Sequence, residues 1–296
     1  MDWRALALGI AFVVMWSSAF TSAHIVVAHA PPFIALSVRF LISGLLALGI
    51  GLATGQRIHL TRAQWGAVVI FGLCQNALYL GLNFEAMRTI DASLAAVIAS
   101  LLPLMVAGLG RMFLGERLSF LGLAGLVAGF GGVLVVMSAR LGHGADVFGV
   151  ALCLVGVLAL SIATLVVRGA SSGGNLWIIV GLQMLVGCVA LFPVAWLLED
   201  WTVRWTASLG WAFLYTVLFP GVAATMIWFV LVGRIGATRA STFHFLNPFF
   251  GLATAALILG EPVTTRDLIG VAIIMAGILA VQLSRLTPGG PAAPRA

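Results

Sequence analysis

The chain has 296 residues, of which 62% are hydrophobic and 8% charged, with a mean hydropathy of +1.16; soluble domains are only about 45–50% apolar. That composition excludes a water-soluble globule and marks an integral membrane protein. The net charge of +6 comes from 15 basic residues, all arginine, placed singly between apolar runs rather than in a patch, so nothing here is built for nucleic acid.

Breaking the sequence at its Gly, Pro and charge clusters leaves ten apolar runs: 3–24, 32–54, 63–84, 91–113, 119–139, 147–168, 175–198, 207–232, 237–259 and 267–286. Each has about the 20 residues that a membrane-spanning helix needs. The first run has Arg4 ahead of its core and Thr21-Ser22-Ala23 near its end, which resembles a secretory signal; its length and its place as the first of five helices favour a helix of the mature fold. It carries Trp16, Ser17, Phe20 and His24. In the second run Arg39 lies about seven residues deep, roughly 10 Å of helical rise, with Gln183 near the equivalent place in the seventh.

The third run holds the most polar stripe of the chain. Gln75, Asn76, Tyr79 and Asn83 recur at three- and four-residue steps and so share one helical face. The sixth run offers Ser161, Thr164 and Arg168, the eighth Thr225 and Trp228, and the ninth Thr242, His244, Asn247 and Gly251. Polar groups are costly in hydrocarbon and are expected to face a bundle interior or a wet cavity; an aromatic wall with a few hydrogen-bonding groups suits a small molecule. The competing reading is helix-to-helix hydrogen bonding. Trp3, Trp65, Trp201, Trp205 and Trp211 fall near span ends, as belt anchors do. Cys74, Cys153 and Cys188 each sit within an apolar run and read as small buried hydrophobes; no disulfide, metal site or cofactor is expected.

The chain is a duplication. A shift of 145 positions lays Ile90 on Ile235, Ala92 on Ala237, Ala95 on Ala240, Leu101 on Leu246, Pro103 on Pro248 and Leu114-Gly115-Glu116 on Leu259-Gly260-Glu261. After three extra residues Gly122 falls on Gly270 and Gly129 on Gly277. The domains are therefore read as a first repeat over 1–140, a second over 146–286 and a disordered tail over 287–296. Five helices per repeat make the second enter the bilayer from the opposite side, as an inverted repeat. Ten arginines against four then place both termini in the cytoplasm, and most acids, including Glu85, Asp91, Glu199 and Asp267, fall on the outer side. Pro103 and Pro248 interrupt the fourth and ninth helices at equivalent mid-membrane positions; paired interruptions in inverted repeats point to a transport site and its hinges. The Gly-Glu turns at Gly115 and Gly260 read as left-handed helix ends.

No loop is long enough for a soluble catalytic or nucleotide-binding domain, and a phosphate loop with its lysine is impossible without lysine. Ten short-looped helices in two halves, each closing its fourth helix with Leu-Gly-Glu, resemble the EamA family of the drug/metabolite transporter superfamily. Trp16-Ser17-Ser18-Ala19-Phe20, Arg39-Phe40 and Asn247-Pro248 are similar to the family as well. Within it the chain is most similar to the YddG-type exporters of aromatic and other neutral amino acids.

The resemblance implies an all-α integral membrane protein, with ten transmembrane helices as two inverted five-helix repeats. It implies export of small metabolites, above all amino acids, from a bacterial inner membrane by alternating access through a central cavity, with no enzyme activity. The expected substrate-binding set is Trp16, Ser17, Phe20, Gln75, Asn76, Tyr79, Asn83, Thr164, Trp228, His244 and Asn247. Arg39 either meets a carboxylate or makes a structural contact, and His244 either contacts substrate or packing groups or relays protons. The alternative function, a proton-coupled exporter of organic cations, calls for an intramembrane acid, and no Asp or Glu lies inside a span. A monomer in the lipid bilayer is expected, because the duplication supplies both halves of a pathway.

Overall fold

A computed structural model describes residues 3–115, 118–141, 146–166, 174–235, 240 and 242–286. The described residues are helical, with no strand among them. In chain order the helices are α1 (Trp3–Val27), α2 (Pro32–Ala53), α3 (Arg62–Ala86), α4 (Ala92–Phe113), α5 (Phe120–Leu141), α6 (Val147–Val166) and α7 (Leu176–Leu198). Then follow α8, in three consecutive stretches Ala207–Thr216, Val217–Ala223 and Ala224–Ile235, α9 (Thr242–Leu246 and Asn247–Leu259) and α10 (Thr265–Leu286).

Among the described residues nine segments are long and apolar enough to cross a membrane, and the tenth is a shorter apolar helix, Phe243–Leu259. Residues 237–239 and 241 of the expected run 237–259 lie outside the described residues. From Thr242 the run continues as a tight 3₁₀ turn, Thr242–Leu246, followed by regular α-helix from Asn247. Pro248 explains the start: with no N–H to offer, proline fits the first helical turn, where amide donors lack acceptors anyway. Pro103 likewise sits in the first turn of Leu102–Phe113, behind a two-residue break at Ser100 and Leu101. The two prolines therefore begin new helical segments instead of bending continuous ones.

Both glycines of the Gly-Glu turns have positive φ, +65° at Gly115 and +70° at Gly260, the left-handed conformation expected of them. Glu116, Arg117, Arg168, Arg239, Arg295 and the tail 287–296 lie outside the described residues.

The chain forms two compact units, each drawing on both sequence halves. Unit 1 comprises residues 1–21, 91–146 and 224–296; unit 2 comprises 22–90 and 147–223. In unit 1, α5 packs along α10 so closely that a Cβ on Gly125 would stand 2.7 Å from the Gly277 carbonyl oxygen, and one on Gly132 would stand 2.8 Å from that of Gly270. In unit 2, α2 packs along α7 with Gly44 facing the Gly181 carbonyl. Small residues at such crossings let backbones approach and gain dispersion contact, which is what holds helices together where lipid removes the hydrophobic drive.

Carboxylates also join helices at their ends by accepting backbone amides. In unit 1 Glu261, just past α9, accepts the first amides of α4, from Ala92 at 2.8 Å and Ser93 at 3.1 Å. In unit 2 Glu199, just past α7, accepts Phe33 N–H at 2.8 Å and Ile34 N–H at 2.9 Å at the start of α2. Each supplies acceptors to amides that the helix itself cannot satisfy.

Two acids correct the expectation that none lies inside a span. Glu85 sits in the last turns of α3 and pairs with Arg88 at 3.0 Å. Asp267 is fully buried in the first turn of α10, bound to Arg140 at 3.1 and 3.2 Å. Arg140, one of the four arginines counted on the outer side, is buried too. Its remaining donors reach Asp91, Ser93 Oγ and the Pro262 carbonyl, so every side of the cation is answered within unit 1. By contrast Trp3, Trp65, Trp201, Trp205 and Trp211 are all exposed, as belt anchors should be.

Candidate functional site

The expected site residues divide between the two units. Trp16, Ser17, Phe20, Trp228, His244 and Asn247 belong to unit 1, and Arg39, Gln75, Asn76, Tyr79, Asn83 and Thr164 to unit 2.

In unit 1 they converge on an aromatic group. Phe12 stacks on Trp16 one helical turn along α1, with ring centroids 5.7 Å apart; it lies 4.9 Å from Trp228 and meets the His244 ring edge-on at 5.4 Å. Trp228 and His244 are 5.2 Å apart. Such separations fall within the range where aromatic pairs attract beyond their buried area. The polar atoms form a short chain beside the rings. Ser17 Oγ donates to the Asn247 carbonyl at 3.2 Å and lies 3.5 Å from its Oδ1, while Asn247 Nδ2 lies 2.9 Å from His244 Nδ1. Ser17 and Phe20 are buried, whereas Trp16, Trp228, His244 and Asn247 are half-buried. Phe12 was not anticipated, although its position four residues before Trp16 places it on the same face.

In unit 2 three residues of the α3 polar stripe, Gln75, Asn76 and Tyr79, lie on a π-helical stretch, Gly72–Leu80, and Asn83 follows in the α-helical stretch Gly81–Ala86. The repeat shift of 145 carries Gly72 onto Val217, where the π-helical stretch of α8, Val217–Ala223, begins. Both repeats therefore widen the same helix at the same place. In α8 Pro220 lies inside the stretch and lacks the amide that an α-helical ladder requires. In α3, Asn83 Nδ2 donates to the Tyr79 carbonyl at 2.7 Å, and Asn76 Nδ2 to the Gln183 carbonyl of α7 at 2.8 Å. Asn76 thus joins two helices. Gln75 is half-buried, and Thr164 Oγ1 donates back to the Leu160 carbonyl of its own helix at 2.7 Å. π-helical turns collect at functional sites, and no feature of the residue pattern announces them.

Four side-chain atoms in unit 2 are buried without a hydrogen bond among the described residues: His24 Nδ1, Ser37 Oγ, Arg39 Nε and Asn83 Oδ1. Arg39 matters most. It is 7% exposed, no described acid pairs with it, and its guanidinium carbon lies 5.6 Å from the Phe40 ring centroid. One turn further along α2, Ser43 donates to the Val217 carbonyl at 3.3 Å, so this face of α2 looks onto the π-helical stretch of α8.

Comparison with known proteins places this geometry. The EamA-like transporter family matches the chain twice, over residues 3–138 and 147–283. The transporter YvbV of Bacillus subtilis is 28% identical over 93% of this chain and 91% of its own length. A probable amino-acid metabolite efflux pump of Salmonella typhimurium is 26% identical, covering 92% of both chains. The inner membrane transporter YedA of Escherichia coli K12 is 24% identical over 95% of this chain and 92% of its own. A protein of known crystal structure shares the fold with a TM-score of 0.69 at 20% identity, across 96% of this chain and 98% of that one. With nearly its whole length matched in two repeats, this multi-pass membrane protein belongs to the EamA-like transporter family.

Proposed function

We propose that the protein is a secondary transporter, not an enzyme, that exports amino acids with aromatic or other neutral side chains by alternating access. It would act in an inner membrane, with both termini in the cytoplasm. The observation that carries this reading is the sign of the unpaired buried charge. An ion buried without a partner costs several kcal/mol, and Arg39 is such an ion. A passing carboxylate would relieve it. The acids that lie within helices, Glu85 and Asp267, are each already paired with an arginine, which leaves no free carboxylate in a described span to exchange a proton for an organic cation. The aromatic group around Phe12, Trp16 and Trp228 offers an uncharged, polarisable surface, and Ser17, His244 and Asn247 supply a few directed polar atoms, the composition of a small-molecule site. The Salmonella relative's description as a probable amino-acid metabolite efflux pump points the same way.

The test is uptake of labelled Phe, Thr and Met into liposomes carrying the purified protein, with and without an imposed pH gradient. Saturable uptake that persists without the gradient is expected. Absence of amino-acid uptake together with gradient-driven efflux of cationic dyes would replace this reading with that of a drug antiporter.

A further inference from the structure

Unit 2 holds a cavity of about 390 Å³ where the α1–α2 turn, the end of α3 and the segment after α7 meet. Its polar lining is His29, Arg88, Glu199, Asp200, Thr202 and Arg204. The wall is built, because Arg204 ties the segment after α7 to the α1–α2 turn. Its backbone N–H donates to the His29 carbonyl at 2.9 Å and its guanidinium to the Ala28 carbonyl. Glu199 is fixed by the two α2 amides. Arg88 is held by Glu85 from outside the lining. The Asp200 carboxylate has no partner among the described residues.

The cavity therefore presents two guanidiniums beside two carboxylates, which suits a ligand that carries both a phosphate and an ammonium. Leu198 of the lining leads on to an exposed apolar surface at the end of α7, which points to where that ligand comes from. Trp196 and Trp201 pack edge to face at 5.3 Å and both contact Phe192. All three are exposed, as are Leu197 and Leu198 at the end of α7. An exposed aromatic and leucine surface at a span end faces the headgroup and upper acyl region of a bilayer.

We infer that this cavity binds the headgroup of a phosphatidylethanolamine-type lipid. Arg88 and Arg204 hold the phosphate in charge-assisted hydrogen bonds, Asp200 accepts from the primary ammonium, and the acyl chains run down past Trp196 and Leu197. The carboxylates repel a purely anionic headgroup. A trimethylated ammonium has no N–H to give Asp200, so a choline headgroup fits less well.

The experiment is a native mass-spectrometric titration of the delipidated full-length protein in detergent. The ligands are phosphatidylethanolamine, phosphatidylcholine and phosphatidylglycerol of matched chains, and water-soluble glycerophosphoethanolamine. Phosphatidylethanolamine is expected to bind about tenfold more tightly than the other two lipids, a difference of about 1.4 kcal/mol. Asp200→Asn is expected to abolish its advantage over phosphatidylcholine, and Arg88→Gln to weaken it several-fold. Neither side chain holds backbone in place, and the Arg88–Glu85 pair is on the surface, where such pairs contribute little to stability. Equal binding of the three lipids would overturn the inference, as would a preference untouched by both variants. Binding of glycerophosphoethanolamine as tight as that of the intact lipid would make the cavity a soluble-solute site and overturn it as well.

Discussion

Gln56 and Glu199 do the same job at opposite ends of the α2–α7 pair. Gln56 Oε1 accepts the Trp177 amide at 2.9 Å and the Ile178 amide at 3.4 Å at the start of α7, and the Glu199 carboxylate accepts the Phe33 and Ile34 amides at the start of α2. Each helix is thus capped by a side chain from the end of its repeat partner, so one substitution loosens a helix start and a helix pair together. Glu199→Ala is expected to lower stability by about 1–2 kcal/mol, the upper part of the range for loss of a helix cap. Glu199→Gln, which keeps an acceptor, is expected to lose less than half of that. Thermal unfolding midpoints in detergent check both; equal midpoints for wild type and Glu199→Ala would show that the cap contributes nothing.

The same carboxylate gives a pH signature. Burial raises the Glu199 carboxyl above its ordinary value of 4.5, against the weaker opposing pull of the Phe33 and Ile34 amides. The folded protein then holds the Glu199 proton more firmly than the unfolded chain. Between 4.5 and the raised value the folded state binds more protons, so this group's contribution to stability is present below 4.5 and falls as pH rises through the weakly acidic range. The wild-type midpoint should show this decline superimposed on its general pH profile, and Glu199→Gln should lack it. Parallel profiles for the two proteins would contradict the assignment.

Arg140 and Asp267 make the opposite kind of pair, buried on both sides and saturated. Removing Arg140 strands the buried Asp267 charge, and breaking a buried pair in this way costs about 3–5 kcal/mol. Arg140→Met alone should therefore reduce the yield of folded protein sharply, whereas Asp267→Asn leaves Arg140 paired with Asp91 and should cost less. The double variant should recover much of the loss, because Asn can still accept the Thr264 amide that Asp267 caps at 2.8 Å. If the double variant is as unstable as the worse single one, the cost does not come from the uncompensated charge.

Within the α3 stripe the two asparagines should separate. Asn76 is committed to the Gln183 carbonyl, whereas Asn83 keeps a buried, unpartnered Oδ1. Asn76→Ala is expected to lower the unfolding midpoint, at about 1 kcal/mol for a lost buried hydrogen bond between two helices. Asn83→Ala is expected to lower amino-acid uptake with a smaller change in midpoint, because losing its bond to the Tyr79 carbonyl is offset by removing a buried, unpartnered Oδ1. The reverse pattern would move the solute contact from Asn83 to Asn76.

The sequence is most legible where one chemical rule governs. Hydrophobic length placed nine spans within a few residues of the observed helices, and the left-handed glycines at 115 and 260 followed from their position after an apolar run. In the ninth span, residue counting does not reveal that Pro248 opens an α-helical segment after a 3₁₀ turn instead of kinking a continuous helix. The π-helical stretches were invisible, since they change the number of residues per turn without changing the residues. The burial of Arg140, which stands at a span end, is not legible in the sequence; only tertiary packing brings Asp91 and Asp267 to it from 49 and 127 residues away. Of the site residues, the group around Trp16, Trp228, His244 and Asn247 could be guessed as polar and aromatic members of separate helices. Their mutual contacts could not.

Arg39 carries the decisive prediction for transport. If it receives a solute carboxylate, its charge and its planar fork both matter: Arg39→Lys keeps only the charge and should raise the KM for amino-acid uptake while leaving measurable transport. Arg39→Gln should abolish saturable uptake. Because the arginine is buried without an ionic partner, neutralising it removes a desolvation cost, so the unfolding midpoint of Arg39→Gln should stay level or rise. A structural arginine would behave the other way, with a midpoint falling by several degrees and residual uptake scaling with the amount of folded protein. Measuring both quantities on the same liposome preparation separates the roles, since only a solute contact predicts lost transport in a protein at least as stable as the wild type.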